Sequence, residues 1–169
     1  LITSLLLVGA GSLSASPFGE RRVIVFGLDG TRADALKQQV ESGNAPHIAG
    51  LIEKGAVSWN AVAGGRVGQT LQATSSGPGW ASVLTGVWAD KHGVTSNAFT
   101  GSNFANYPHF FKRLHEVEMT VEMASLVSWG PIQSEIVEDS GVTPICDCHA
   151  YTAGSYDQRD ADLTAKTVE

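Results

Sequence analysis

The chain has 169 residues, which is one domain's length, and 43% of them are hydrophobic, ample for a core. With 11 Lys and Arg against 17 Asp and Glu, it carries a formal net charge of -6 and a pI near 5.3, and no basic patch is visible. That balance excludes a nucleic-acid-binding surface, which rests on clustered Lys and Arg. It suits a cation site, although most of the acids are solvated surface groups.

The first ten residues, from Leu1 to Ala10, are mostly apolar and are followed by the small-residue-rich stretch Gly11 to Ser16. This reads as the hydrophobic core and cleavage region of a truncated secretory signal over residues 1–16, too short to span a bilayer comfortably. A secreted or periplasmic protein follows, with no stable membrane span after cleavage; a membrane anchor or a buried first element is the competing reading. The chain opens without Met and stops at Glu169 inside a run that reads as a helix still under way, so residues 17–169 are taken as the N-terminal part of a larger catalytic domain.

Arg21 and Arg22 introduce the run Val23-Ile24-Val25-Phe26-Gly27-Leu28, whose β-branched, non-alternating character predicts a parallel strand covered on both faces. Asp29 closes that run, at the carboxyl edge where α/β proteins place metal ligands. A helix is predicted from Thr31 to Val40 and a second, shorter one from Pro46 to Gly55, with Pro as its start and Gly as its stop. Ala56 to Val62 predicts a second strand.

Gly64 to Ser75 is a Gly/Ser/Thr/Gln-rich loop that delivers the chain to Ser76, ahead of a helix over roughly Pro78 to Thr85. Tyr107 to Glu116 reads as helix, Thr120 to Leu126 as strand, and Tyr156 onward as the last helix. Strands alternating with helices indicate an α/β layered fold. Cys146 and Cys148 are too close for an easy mutual disulfide, and their spacing is tighter than zinc sites use, so each is expected to be reduced or to pair elsewhere.

Ser76 at a helix N-terminus has backbone N–H groups beside it that can face an anion. Pro78 has no N–H to give, which leaves Gly77 and Gly79 as the backbone donors. Asp29 as a cation ligand, Ser76 as a nucleophile and Gly77 as an oxyanion donor make up the parts of a phosphoryl-transfer site. Each also has an ordinary explanation: a turn at Asp29-Gly30, a helix cap at Ser76, a first-turn proline at Pro78.

Three segments in order, Val23-Ile24-Val25-Phe26-Gly27-Leu28-Asp29-Gly30-Thr31-Arg32, Ala45-Pro46-His47-Ile48-Ala49-Gly50-Leu51 and Ser76 to Val94 (SGPGWASVLTGVWADKHGV), resemble the N-terminal half of the alkaline phosphatase superfamily. The nucleotide pyrophosphatase/phosphodiesterase-like branch is the nearest. The resemblance covers about Val23 to Phe111 and implies a three-layer α/β sandwich with a mostly parallel central sheet, incomplete at the C-terminus.

It further implies that Asp29 ligates one of two divalent metal ions, zinc in this family, and that Ser76 both contacts the metal and becomes transiently phosphorylated. Asn97, 21 residues past Ser76 (97 − 76), stands where the branch has an asparagine that hydrogen-bonds the phosphoryl oxygen. The remaining metal ligands are expected beyond residue 169, so this chain alone is expected to be inactive. His92 is expected to order the loop after the nucleophile helix.

The resemblance thus points to a metal-dependent phosphoric ester hydrolase acting on small-molecule phosphate esters through a phosphoserine. Ser76-Gly77-Pro78-Gly79 replaces the Thr, aromatic, Pro, Asn run of many phosphodiesterases of this type, which removes the aromatic that stacks a nucleobase. Two alternatives use the same residues. Ser76-x-Pro78 also resembles the opening of the sulfatase signature, which requires Arg where this chain has Trp80. A non-catalytic binding member would keep the fold and lose ligands downstream.

Overall fold

The computed structural model describes residues 23–138 and 147–167. The signal-like opening segment and Cys146 lie outside them, and Cys148 is placed by its backbone alone. In chain order the described residues form α1 (Ala33–Glu41), α2 (Pro46–Lys54), a 3-10 turn (Gly68–Thr70), α3 (Ser76–Thr85), α4 (Ala89–His92) and α5 (Phe110–Val117). Then come β1 (Ala124–Val127), a π-helical segment (Ile132–Val137), β2 (Asp147–Ala150) and α6 (Tyr156–Thr167). β1 and β2 pair in parallel, Ala124 opposite Asp147 through Val127 opposite Ala150. The architecture is mixed α/β with a two-stranded parallel sheet, consistent with an alkaline phosphatase-like fold.

Helix boundaries follow local chemistry. Pro46 opens α2 with its fixed φ and no N–H to lose, and Gly55 follows its last residue. Gly86 caps α3 in the left-handed conformation (φ 72°), and Gly93 does the same for α4 (φ 75°). His109 caps α5 with its side chain, accepting from the Lys112 N–H at 3.3 Å. In the π-helical segment the Glu138 N–H bonds the Gln133 carbonyl five residues back, at 2.9 Å.

Two expected strands are not formed. Residues 23–28 and 56–62 adopt no ladder and are mostly exposed, with Val23 at 86%, Ile24 at 85% and Phe26 at 75% exposure. A parallel strand is held by its neighbours, and among the described residues no strand pairs with either run. The strand expected over 120–126 forms later and shorter, at 124–127.

The core gathers around α3. Ala81, Leu84, Val94, Phe99, Phe104, Val127, Ile132 and Ile136 form one buried cluster, with Trp80, Phe110 and Trp129 packed against it. The helix turns Gly77, Pro78, Ala81, Ser82, Leu84 and Thr85 inward, a broad apolar face with small residues at its start. Ser76 therefore stands at the start of the best-buried helix among the described residues.

Candidate active site around the start of α3

Ser75 precedes α3 in an extended conformation (φ −144°, ψ 163°), and Ser76 is the first helical residue, half-buried. The chain's entry is fixed by Gln72. Its Nε2 donates to the carbonyls of Ala63 (2.7 Å) and Pro78 (2.9 Å), while its Oε1 accepts from the Ala89 N–H (3.0 Å) and the Ser82 hydroxyl (3.2 Å). One side chain thus ties the Gly-rich loop to α3 and to the start of α4.

Asn97 and Gly77 are brought together as a pair. The Gly77 N–H donates to Asn97 Oδ1 at 2.7 Å, across 20 residues. The approach demands a glycine: a Cβ at position 77 would stand 2.9 Å from the Ser96 carbonyl oxygen and 3.1 Å from Asn97 Cα. Gly79, the other donor expected from the sequence, is committed to the Ser75 carbonyl at 3.1 Å. The N–H of Ser76 and the amide nitrogen of Asn97 have no partner among the described residues.

The donors at this helix mouth are therefore Ser76 N–H and the Asn97 NH₂, whereas Gly77 serves by orienting Asn97. Bonding Oδ1 to a backbone N–H fixes which end of the amide is turned outward.

The loop that carries Asn97 is anchored at both ends. His92 Nδ1 accepts from the Val94 N–H at 3.0 Å, so its proton sits on Nε2, which lies 3.0 Å from the Ser82 hydroxyl. Burial holds the His92 imidazole below its ordinary pKa, with the nearby Asp90 acting in the opposite sense. This Ser–His pair is sealed in the interior and orders the loop, as expected for His92. At the far end, Gly93 leaves room for the Gly101 carbonyl, and Asn103 donates to the carbonyls of His92 (2.9 Å) and Lys91 (3.2 Å).

Phe99 completes the clamp in a left-handed conformation (φ 54°), rare for a bulky residue. It is buried against Trp129 with ring centroids 6.1 Å apart.

Asp29 is exposed, and its two oxygens have different neighbours. Oδ1 accepts from the N–H of Gly30 at 2.7 Å and Oδ2 from the indole N–H of Trp80 at 3.3 Å. Arg32, the nearest cation in sequence, is paired with Asp34, and no ion pair reaches Asp29 among the described residues. Asp29 and Ser76 share no hydrogen bond; what relates them is α3, which carries Ser76 and, four residues on, Trp80. No group of three His, Cys, Asp or Glu side chains that could hold a metal ion occurs among the described residues. Asp29 and Ser76 alone do not enclose the two ions that the resemblance implies.

With this geometry in place, comparison with known families is decisive. The model for "Type I phosphodiesterase / nucleotide pyrophosphatase" matches residues 23–162, most of the chain. The chain belongs to this family of the alkaline phosphatase superfamily. No curated protein and no solved structure matches it. The type I phosphodiesterase family hydrolyses phosphoric esters and is typically dependent on divalent metals. In this member, sequence reasoning missed Trp80, Gln72 and Phe99 as residues that shape the site. The spacing of Trp80 four residues past Ser76, one helical turn, was the available signal for the first.

Proposed function

We propose that this protein is a phosphoric ester hydrolase that acts through Ser76, forming and then hydrolysing a phosphoserine. The observation that carries the reading is the bond between Gly77 N–H and Asn97 Oδ1. It turns the Asn97 NH₂ outward at the mouth of α3, beside the N–H and hydroxyl of Ser76, which have no partner among the described residues. A phosphoryl group at that mouth meets the positive end of the helix dipole and two preset donors. Attack by Ser76 Oγ forms the new P–O bond as the bond to the ester oxygen breaks, the hydroxyl proton passing through solvent to the departing alcohol, and the charge on the nonbridging oxygens is held without reorganisation. Water then cleaves the phosphoserine.

Divalent ions, zinc by resemblance, would draw a ligand from Asp29 and polarise the Ser76 oxygen when bound. The described residues do not by themselves complete such a site. With the proposal go the three-layer sandwich of the superfamily and, from the leader-like opening, a place outside the cytoplasm. Small phosphate esters are the substrates of choice, since the family acts on them and the site shows no aromatic platform at position 77 for a nucleobase.

The test is hydrolysis of bis-p-nitrophenyl phosphate by the full-length protein, with Ser76→Ala and Asn97→Ala. Ser76→Ala is expected to remove turnover and phosphoenzyme formation altogether. Asn97→Ala is expected to lower the rate by roughly two to three orders of magnitude, the effect of losing one oxyanion donor. Unchanged turnover in Ser76→Ala would take Ser76 out of the reaction. Preferential hydrolysis of a sulfate ester would favour the sulfatase reading instead, and ester binding without turnover the non-catalytic one.

A further inference from the structure

Trp80 stands where the sequence departs from the sulfatase pattern, and the geometry gives it work of its own. Four residues separate it from Ser76, so the two side chains lie on one face of α3, about 6 Å apart along the axis. Helical side chains lean toward the N-terminus, which points the indole back toward Ser76. Its ring lies over Gly27 so closely that a Cβ there would fall 2.2 Å from Cη2. Its N–H reaches Asp29 Oδ2 at 3.3 Å. Among the described residues, this is the sole hydrogen bond between residues 23–31 and α3.

The rest of the indole packs against the buried cluster around Ala81 and Leu84. Trp80 thus has one edge in the core and the other on an exposed acid. Residues 23–31 include no buried side chain of their own, so they lack the packing that would otherwise fix Asp29.

We propose that Trp80 is a positioning residue for the reaction at Ser76: its indole N–H holds the Asp29 carboxylate on the nucleophile's face of α3, and Gly27 is the seat that lets the ring lie there. The inference rests on the reading of Asp29 and Ser76 as members of one site. One oxygen of Asp29 is occupied by the indole and the other by a backbone N–H, so the orientation of the carboxylate plane is set from both sides. Ring bulk alone does not account for this, because the bond is directional.

Two measurements on the full-length protein separate the clasp from the chemistry. In ¹H–¹⁵N spectra, the Trp80 indole resonance, assigned by its loss in Trp80→Phe, is expected to move upfield in Asp29→Ala. An unmoved resonance overturns the clasp, whether or not the protein hydrolyses esters. In turnover of bis-p-nitrophenyl phosphate, Trp80→Phe is expected to lower kcat about tenfold to a hundredfold, the effect of losing one hydrogen bond to a charged group, with KM little changed.

Trp80→His, which keeps a ring N–H, is expected to recover part of that loss. Gly27→Ala, which leaves Trp80 in place but removes its seat, is expected to reproduce it. Parent-like kcat in both Trp80→Phe and Gly27→Ala overturns the positioning role even if the indole resonance moves. A parent protein with no turnover, or a Ser76→Ala variant with full turnover, tells against the function reading, whereas the indole shift decides the clasp independently.

Discussion

Residues 23–62 and residues 76–137 are both rich in apolar side chains, yet the structure treats them oppositely. The first region holds α1, α2 and two runs without regular structure, and none of its residues is buried. The second holds α3, α4, α5, β1 and the π-helical segment, and contributes every residue of the main cluster. What differs is partnership: Val23 to Leu28 is as apolar as anything in the core but has no strand beside it, whereas α3 is enclosed by α4, the Asn97 loop and the π-helical segment. The two halves of the proposed site fall on either side of this divide. Ser76, Gly77 and Asn97 are held by the core, and Asp29 reaches it through Trp80.

The comparison is broken most directly by emptying the core. Phe104 is 1% exposed and sits in the cluster that backs α3, so Phe104→Ala is expected to cost about 3–5 kcal/mol in urea unfolding. Much of that includes the cavity left behind, since close-packed interiors collapse only partly. A loss near zero would mean that this cluster is not the packed core in solution.

The helices on both sides of the divide were legible in the sequence, and the strands of the weaker side were not. α1, α2, α3, α5 and α6 all lie near their expected places because a helix closes its hydrogen bonds within its own segment, with Pro46, Gly55 and Gly86 marking ends. Strand readings at 23–28 and 56–62 failed because a strand's bonds belong to another segment, which composition cannot supply. α4 is a single turn, and β2 and the π-helical segment carry no periodic signature at such length.

At the site, motif spacing singled out Gly77 and Asn97 separately, each as a phosphate contact, and not as partners of one another. The use of Gly77 N–H to orient Asn97, instead of to face the substrate, depended on a contact across 20 residues that only the fold reveals. Trp80 departs from the sulfatase pattern in sequence, but its bond to Asp29 spans 51 residues and is visible only in the fold.

A smaller effect sharpens the same divide through pH. His92 and His109 are both fully buried in the core region, and burial holds both imidazoles below their ordinary pKa. Backbone contact with Val137 acts the other way on His109, and the nearby Lys112 adds to the lowering. Unfolding frees both rings to take up protons near the ordinary value of about 6.5. Below that pH the unfolded chain binds more protons than the folded one, so stability is full above it and declines as pH falls through the window beneath it. Urea midpoints measured at about pH 7.5 and pH 5.5 are expected to be lower at the acid value. Equal midpoints would mean that the imidazoles are not sealed off.

The smallest expected effect tests the other side of the divide. Ile24 is 85% exposed, so Ile24→Thr removes little buried apolar surface and breaks no ladder bond. Its expected change in unfolding free energy is within about 0.5 kcal/mol, the range of surface substitutions. The same change at a fully buried β-branched position would put a hydroxyl into an apolar interior and lose packing as well. A measured loss of roughly 2 kcal/mol or more at Ile24 would therefore place this run inside a packed sheet, as large losses arise from burial or broken networks. That result would restore the doubly covered strand that its sequence suggests, and would give Asp29 a second support besides the indole of Trp80.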